Sequence, residues 1–154
     1  MQNSIDIEKN SMKDFIPYEP ALELKQLGFD ESCFGYYVDG ELRGINLGME
    51  ELGGVEPYYQ RLGFHTLSNH DIDNPNKIVA TAPTFSQAFR WCREKYDLVH
   101  RIDRDGGWWI CAILNLYDEA DQGVIERFIV CYPNTYEEAE LACLIQLIEI
   151  VKNK

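Results

Sequence analysis

The sequence is poor in positive charge. It has 14 Lys and Arg residues against 26 Asp and Glu residues, which gives a formal net charge of −12 at pH 7. A chain of this sign repels nucleic-acid phosphates and anionic lipid, which argues against either as a partner. The acidic residues are scattered along the whole chain, so solubility is the simplest reason for them. Mimicry of a nucleic acid towards a basic partner is the alternative.

Signatures of catalysis are also missing. No GxxxxGK[ST], GxGxxG, GxSxG or HExxH motif occurs, so nothing indicates a nucleotide site or a hydrolase. The run from Asp71 to Asp73 begins like a calcium loop but lacks the glycine at the sixth position. We therefore predict no catalytic residues, no metal and no cofactor, and lean against an enzyme.

The cysteine pattern contains no CxxC pair. The five cysteines, an odd number, mostly have apolar neighbours, which indicates small buried side chains in a reducing compartment. The N-terminus has neither the basic start nor the apolar core of a signal peptide, and the longest apolar run, WWICAIL, is too short to cross a bilayer. These observations favour the cytoplasm and exclude a membrane partner.

The N-terminal half begins with a polar stretch, residues 1–14, which predicts a flexible leader ahead of one domain over residues 15–154. A helix is expected from Tyr18 to Leu27, because Pro20 suits a first helical turn and Gly28 suits a left-handed cap.

The rest of this half contains a predicted hairpin and a stretch without a regular pattern. CFGYYV and ELRGINL flank Asp39-Gly40, a dipeptide typical of a two-residue hairpin turn. Residues 44–81 are interrupted by glycine and proline, and we predict only single helical turns near Met49–Leu52 and Pro57–Leu62.

The C-terminal half has an α-β-β-β-α pattern. Thr84 with Gln87, and Thr135 with Glu138, have the spacing of helix capping boxes. Between these helices lie LVHRI, WWICAILNL and VIERFIVC, which are typical of strands. The predicted fold class is therefore α+β, a single domain with an antiparallel sheet and helices packed on one of its faces.

A candidate binding surface follows from the expected strand register. If Ile102 lies opposite Trp108, one face carries Leu98, His100, Ile102, Trp108, Ile110, Ala112 and Leu114. The other carries Val99, Arg101, Trp109, Cys111, Ile113 and Asn115. The first face is more apolar and is expected beneath the helices, whereas the second is expected to be partly open. The candidate binding residues are Arg101, Trp109 and Arg127.

The last helix is apolar around most of its circumference, with only a narrow polar strip through Glu138, Gln146 and Glu149. A helix of this kind must be covered on more than one side. Either the N-terminal half covers it, or a second copy of the chain does so in a homodimer.

Three segments resemble a family of small uncharacterised proteins from gut-associated bacteria and their phages. They are KDFIPYEPALELKQLGFDESCFGYY (Lys13–Tyr37), APTFSQAFRWCREKY (Ala82–Tyr96) and TYEEAELACLIQLIEIVK (Thr135–Lys152). Where that family has FRWFREKY, this chain has Cys92 in place of the second phenylalanine. The resemblance implies an origin in a phage or mobile element but no mechanism. We therefore expect an accessory protein that acts through an unknown protein partner.

Two alternatives to this function stay open. The first is a nucleic-acid-associated module that uses the partly open sheet face, although the net charge of −12 argues against it. The second is an acidic inhibitor that presents its carboxylates to the basic site of a nucleic-acid-binding enzyme.

Overall fold

The computed structural model describes residues 12–44, 68–70, 77, 79–115, 126–131 and 133–154. Contacts along the chain divide it into two compact units, Met1–Thr84 and Phe85–Lys154. Each unit contains helix and a three-stranded antiparallel sheet, which confirms the α+β class. The strands form two sheets where one was expected. The proposed single domain over residues 15–154 stays a prediction.

The N-terminal unit begins, within the described residues, with a short 3-10 turn over Met12–Asp14 and helix α1 over Tyr18–Gln26. The helix buries Pro20, Ala21 and Leu24. It stops at Gly28, which has a φ of 87°, a left-handed conformation that costs glycine little. The predicted helix and its glycine cap are confirmed.

The sheet of this unit has the order β2-β1-β3, with β1 over Gly35–Val38, β2 over Glu41–Gly44 and β3 over Val79–Ala82. The predicted hairpin is confirmed, since Asp39 and Gly40 have φ angles of 48° and 89° between β1 and β2. Strand β3 was not predicted. It is only four residues long and follows directly on a stretch that lacks any periodic pattern.

Buried and partly buried hydrogen bonds join the parts of the N-terminal unit. The Tyr37 hydroxyl donates to the Ile16 carbonyl at 2.6 Å. The Asn69 side chain accepts from the backbone N–H of Thr81 at 2.9 Å and donates to the carbonyl of Phe29 at 2.8 Å. One amide side chain thus links β3 to the segment after α1, which satisfies backbone groups that would otherwise be buried unpaired.

Three predictions fall on other parts of the N-terminal half. The helical turns near Met49–Leu52 and Pro57–Leu62 lie outside the described residues. Most of the predicted leader, residues 1–11, lies outside them as well.

The C-terminal unit consists of α2 (Phe85–Tyr96), β4 (Leu98–Asp105), β5 (Trp108–Asn115), β6 (Glu126–Cys131) and α3 (Tyr136–Lys152). Its strands are antiparallel in the order β4-β5-β6. This confirms the predicted α-β-β-β-α succession. The predicted capping box of α3 is also confirmed, because Thr135 Oγ1 accepts from the Glu138 N–H at 3.2 Å and Glu138 accepts in return from the Thr135 N–H at 3.3 Å.

Both helices of this unit pack on the same face of its sheet. The Phe89 ring of α2 stacks on the His100 ring of β4, with centroids 3.6 Å apart. From α3, Cys143 forms a disulfide with Cys111 of β5. Helix α3 also buries Ala139, Leu144, Leu147, Ile148 and Val151. The arrangement of helices on one face was predicted.

Candidate functional site

The strand register of the C-terminal unit sorts its side chains into two faces. Ile102 pairs with Cys111 and His100 pairs with Ile113, and side chains of paired residues lie on the same face. We call the side under the helices the helix-covered face; it carries Leu98, His100, Ile102, Arg104, Trp109, Cys111 and Ile113. We call the other side the open face; it carries Val99, Arg101, Asp103, Asp105, Trp108, Ile110, Ala112 and Leu114.

The predicted register between β4 and β5 was wrong. Gly106 and Gly107 have φ angles of 56° and 95°, so they form the hairpin turn by themselves and the strands continue to Asp105 and Trp108. Ile102 therefore lies opposite Cys111 and not opposite Trp108. The predicted and observed registers differ by an odd number of residues, and a shift of this kind moves every side chain of β5 to the opposite face relative to β4.

Trp109 is consequently separated from Arg101. It lies on the helix-covered face, where its ring meets that of Tyr136 edge-on at a centroid distance of 5.3 Å. The Arg104 guanidinium lies 5.7 Å from the same ring. These contacts give Trp109 a packing role at the start of α3, away from the surface for which the sequence proposed it.

Arg101 is on the open face, as proposed, and its side chain is 64% exposed. Its Nε lies 2.6 Å from a carboxylate oxygen of Asp103, so its charge is already paired. The backbone of Arg127 is paired in register with Leu114, a residue of the open face.

Trp108 is the open-face residue that the sequence interpretation missed. It is 52% exposed, although tryptophan has a large apolar surface, and its register partner is the exposed Asp105. Along the same strand the half-buried Ile110 and Leu114 continue the apolar row. The Gly106-Gly107 pair, taken as a complete two-residue turn, is the signal that would have placed Trp108 correctly.

Thiol chemistry is suppressed at two buried free cysteines, Cys33 and Cys92. Burial raises the pKa of Cys33 and that of Cys92 to about 12, so both thiols stay protonated and are poor nucleophiles near neutral pH. The prediction that the cysteines are buried is confirmed for these two and for Cys111 and Cys143. No disulfide was predicted, but Cys111 and Cys143 are bonded. They lie 32 residues apart, so spacing alone gave no sign of the pair.

His100 has a perturbed proton affinity. Burial against α2 and the nearby positive charge of Arg93 hold its pKa below the usual 6.5. His100 is stacked on Phe89 and lies on the helix-covered face, so it is a packed side chain. Among the described residues, no group of three His, Cys, Asp or Glu side chains is arranged to hold a metal ion.

A second surface feature belongs to the N-terminal unit. A shallow hollow of about 280 Å³ lies beside the β1–β2 hairpin and is lined by Val38, Asp39, Glu41, Arg43 and Lys77. Arg43 and Glu41 form an ion pair across it at 2.5 Å. Charges of both signs neutralise one another there, and no described histidine or cysteine lines the hollow. It offers less for recognition than the open face.

Comparisons with known proteins add no assignment. The chain matches no family model, no curated protein and no solved structure. The resemblance to phage-associated proteins therefore stays a prediction. In the described part of the chain, no helix has both the length and the apolar character needed to span a membrane.

Proposed function

We propose that the chain is an accessory protein that binds a protein partner through the open face of its C-terminal sheet. The observation that carries this proposal is Trp108, half exposed at the end of a strand whose open-face residues are all apolar. Solvent-exposed aromatic side chains beside further apolar surface are typical of protein interfaces, where Trp is enriched among the residues that dominate affinity.

The chemistry around Trp108 favours a basic partner. Asp105 is exposed and lies directly across the hairpin from Trp108, while the neighbouring Asp103 is already engaged by Arg101. A lysine or arginine of the partner would contact the Trp108 ring and the Asp105 carboxylate together, which combines a cation–π contact with an ion pair. The net charge of −12 would steer such a partner towards the chain.

This proposal includes one of the alternatives drawn from the sequence. An acidic inhibitor of a nucleic-acid-binding enzyme would use the same complementarity, because the substrate site of such an enzyme is basic. The phage or mobile-element origin implied by the resemblance is consistent with that class of target.

Nucleic acid itself is a poorer candidate for the open face. Of the three residues proposed from the sequence, Trp109 packs on the helix-covered face and Arg101 is paired with Asp103. A single-strand binding surface needs unpaired positive charge next to its stacking aromatics. Binding of RNA or DNA oligonucleotides at low salt would reverse this preference.

The test begins by identifying a partner at the open face. A photo-crosslinking amino acid replaces Trp108, and the matched control places it at Gln146, an exposed position on α3. A protein captured at position 108 and not at 146 is then purified, and its affinity for the natural chain is measured by calorimetry.

The purified partner should bind Trp108→Ala roughly 30-fold more weakly than the natural chain, the loss typical of a tryptophan that dominates an interface. Asp105→Asn should also weaken binding. Added salt should reduce the difference in affinity between this variant and the natural chain. Trp109→Phe keeps an aromatic ring against Tyr136 and should bind normally. Equal affinity of Trp108→Ala and the natural chain would refute the proposal.

A further inference from the structure

The Cys111–Cys143 bond links the two layers of the C-terminal unit. Cys111 lies on the central strand β5 and Cys143 lies in α3, with their Cα atoms 5.8 Å apart. This separation lies within the range from which two cysteines can bond without backbone movement. Both side chains are fully buried, so the bond closes at the contact between helix and sheet.

Two of the other cysteines are poor competitors for this bond. Cys33 and Cys92 are also buried, and their thiols stay protonated because burial raises the pKa of each to about 12. Exchange requires a thiolate, so these two thiols are poor nucleophiles towards the bond in the folded chain.

We propose that Cys111 and Cys143 form a reversible oxidation site that fastens α3 to the sheet. In the reduced chain, local opening of α3 from the sheet exposes the two cysteines, and the thiolate of one attacks a low-molecular-weight disulfide such as oxidised glutathione and releases one glutathione thiolate. The second cysteine then attacks the mixed disulfide, forms the Cys111–Cys143 bond and releases a second glutathione. Two protein thiols lose two protons and two electrons, and one glutathione disulfide becomes two thiols.

The consequence concerns the attachment of α3. The bond closes a loop across 32 residues of sequence, which includes the end of β5, all of β6 and the start of α3. A cross-link of this span restricts the unfolded chain far more than the folded one. Oxidation therefore stabilises the unit, and reduction leaves α3 held by packing alone. The site does not depend on the proposed partner.

The test uses the full chain in two states, reduced with dithiothreitol and oxidised with glutathione disulfide. The intact mass of the oxidised chain should fall by two hydrogen atoms, and a non-reducing peptide map should join the peptides that contain residues 111 and 143. The oxidised chain should melt about 5–10 °C above the reduced chain.

Variants separate this pair from the other cysteines. Cys111→Ala combined with Cys143→Ala should remove the difference in melting temperature between the two conditions. Cys92→Ala and Cys33→Ala, the matched controls, should keep it. The comparison within the natural chain decides the matter even if a variant does not fold.

Three results would overturn the assignment. They are an unchanged mass after oxidation, equal melting temperatures in both states, and a map that joins Cys111 to Cys131, whose backbone is its neighbour in β6.

Discussion

Phe89 of α2 lies nearly parallel to the His100 ring of β4, at a centroid distance of 3.6 Å and an angle of 13°. The stack joins a helix to the edge strand of the C-terminal sheet. A protonated imidazole in this position would be partly stripped of water and would face the positive charge of Arg93. The folded chain therefore favours the neutral form of His100.

Stability should consequently fall in mildly acidic solution. The pKa of His100 is lowered in the folded chain, so the unfolded chain binds a proton first as the pH drops through about 6.5. The free energy of unfolding should decrease from there until the pH passes below the folded-state pKa. Urea titrations between about pH 5 and pH 8 measure this slope, because most carboxylates titrate below that range.

His100→Phe is the variant that isolates the effect. It keeps an aromatic ring against Phe89 and has no titrating group, so its stability should vary less across the same pH range. An identical slope in the natural chain and the variant would assign the pH dependence to other groups.

The capping box at the start of α3 should contribute measurably to stability. Thr135→Ala removes the oxygen that accepts from the Glu138 N–H and leaves that donor without its partner. The expected cost is about 1 kcal/mol in the free energy of unfolding, measured by urea titration. Thr135→Ser retains the oxygen and should cost much less. Equal losses in both variants would point to the threonine methyl group and away from the cap.

The two glycines of the turn between β4 and β5 should differ in the cost of substitution to the free energy of unfolding. Gly107 has a φ of 95°, and an added Cβ there would meet no atom within 4 Å, so Gly107→Ala tests backbone conformation alone. We expect a loss of about 1–2 kcal/mol. Gly106→Asn is the control, since asparagine tolerates the left-handed φ of 56° at the first turn position and should be nearly neutral. A neutral Gly107→Ala would contradict the two-residue turn on which the strand register depends.

The chain should be monomeric by light scattering at tens of micromolar. Helix α3 buries most of its apolar side chains within the structure and leaves two large ones exposed, Tyr136 and Ile145, each at 42%. A stable interface buries roughly 800 Å² on each partner, far more than these two side chains supply. A dimeric mass that Ile145→Arg converts to a monomeric one would instead establish the predicted homodimer through this helix.

Local signals were enough for most elements of the fold. Gly28 ended α1 where a left-handed cap was expected, and Asp39-Gly40 formed the predicted hairpin. The box of Thr135 and Glu138 began α3. Each of these predictions succeeded because the responsible residues lie within a few positions of one another, so backbone conformation and nearby hydrogen bonds decide the outcome.

The candidate site was only partly predictable. Arg101 was correctly placed on the open face, but Trp109 and Trp108 were exchanged between faces. The reason lies in β5, whose WWICAIL run is apolar at every position and therefore fits the core in either register. Strand β3 was missed because four residues carry too little pattern to be distinguished from a loop.

By itself, then, the sequence determined the α+β class, the positions of the capped helices and the hairpins, because these depend on short-range chemistry. Only the tertiary structure decided which tryptophan faces solvent and which cysteines are bonded. The first depends on a register that an all-apolar strand does not specify. The second depends on bringing Cys111 and Cys143 together across 32 residues, which follows from the packing of α3 on the sheet.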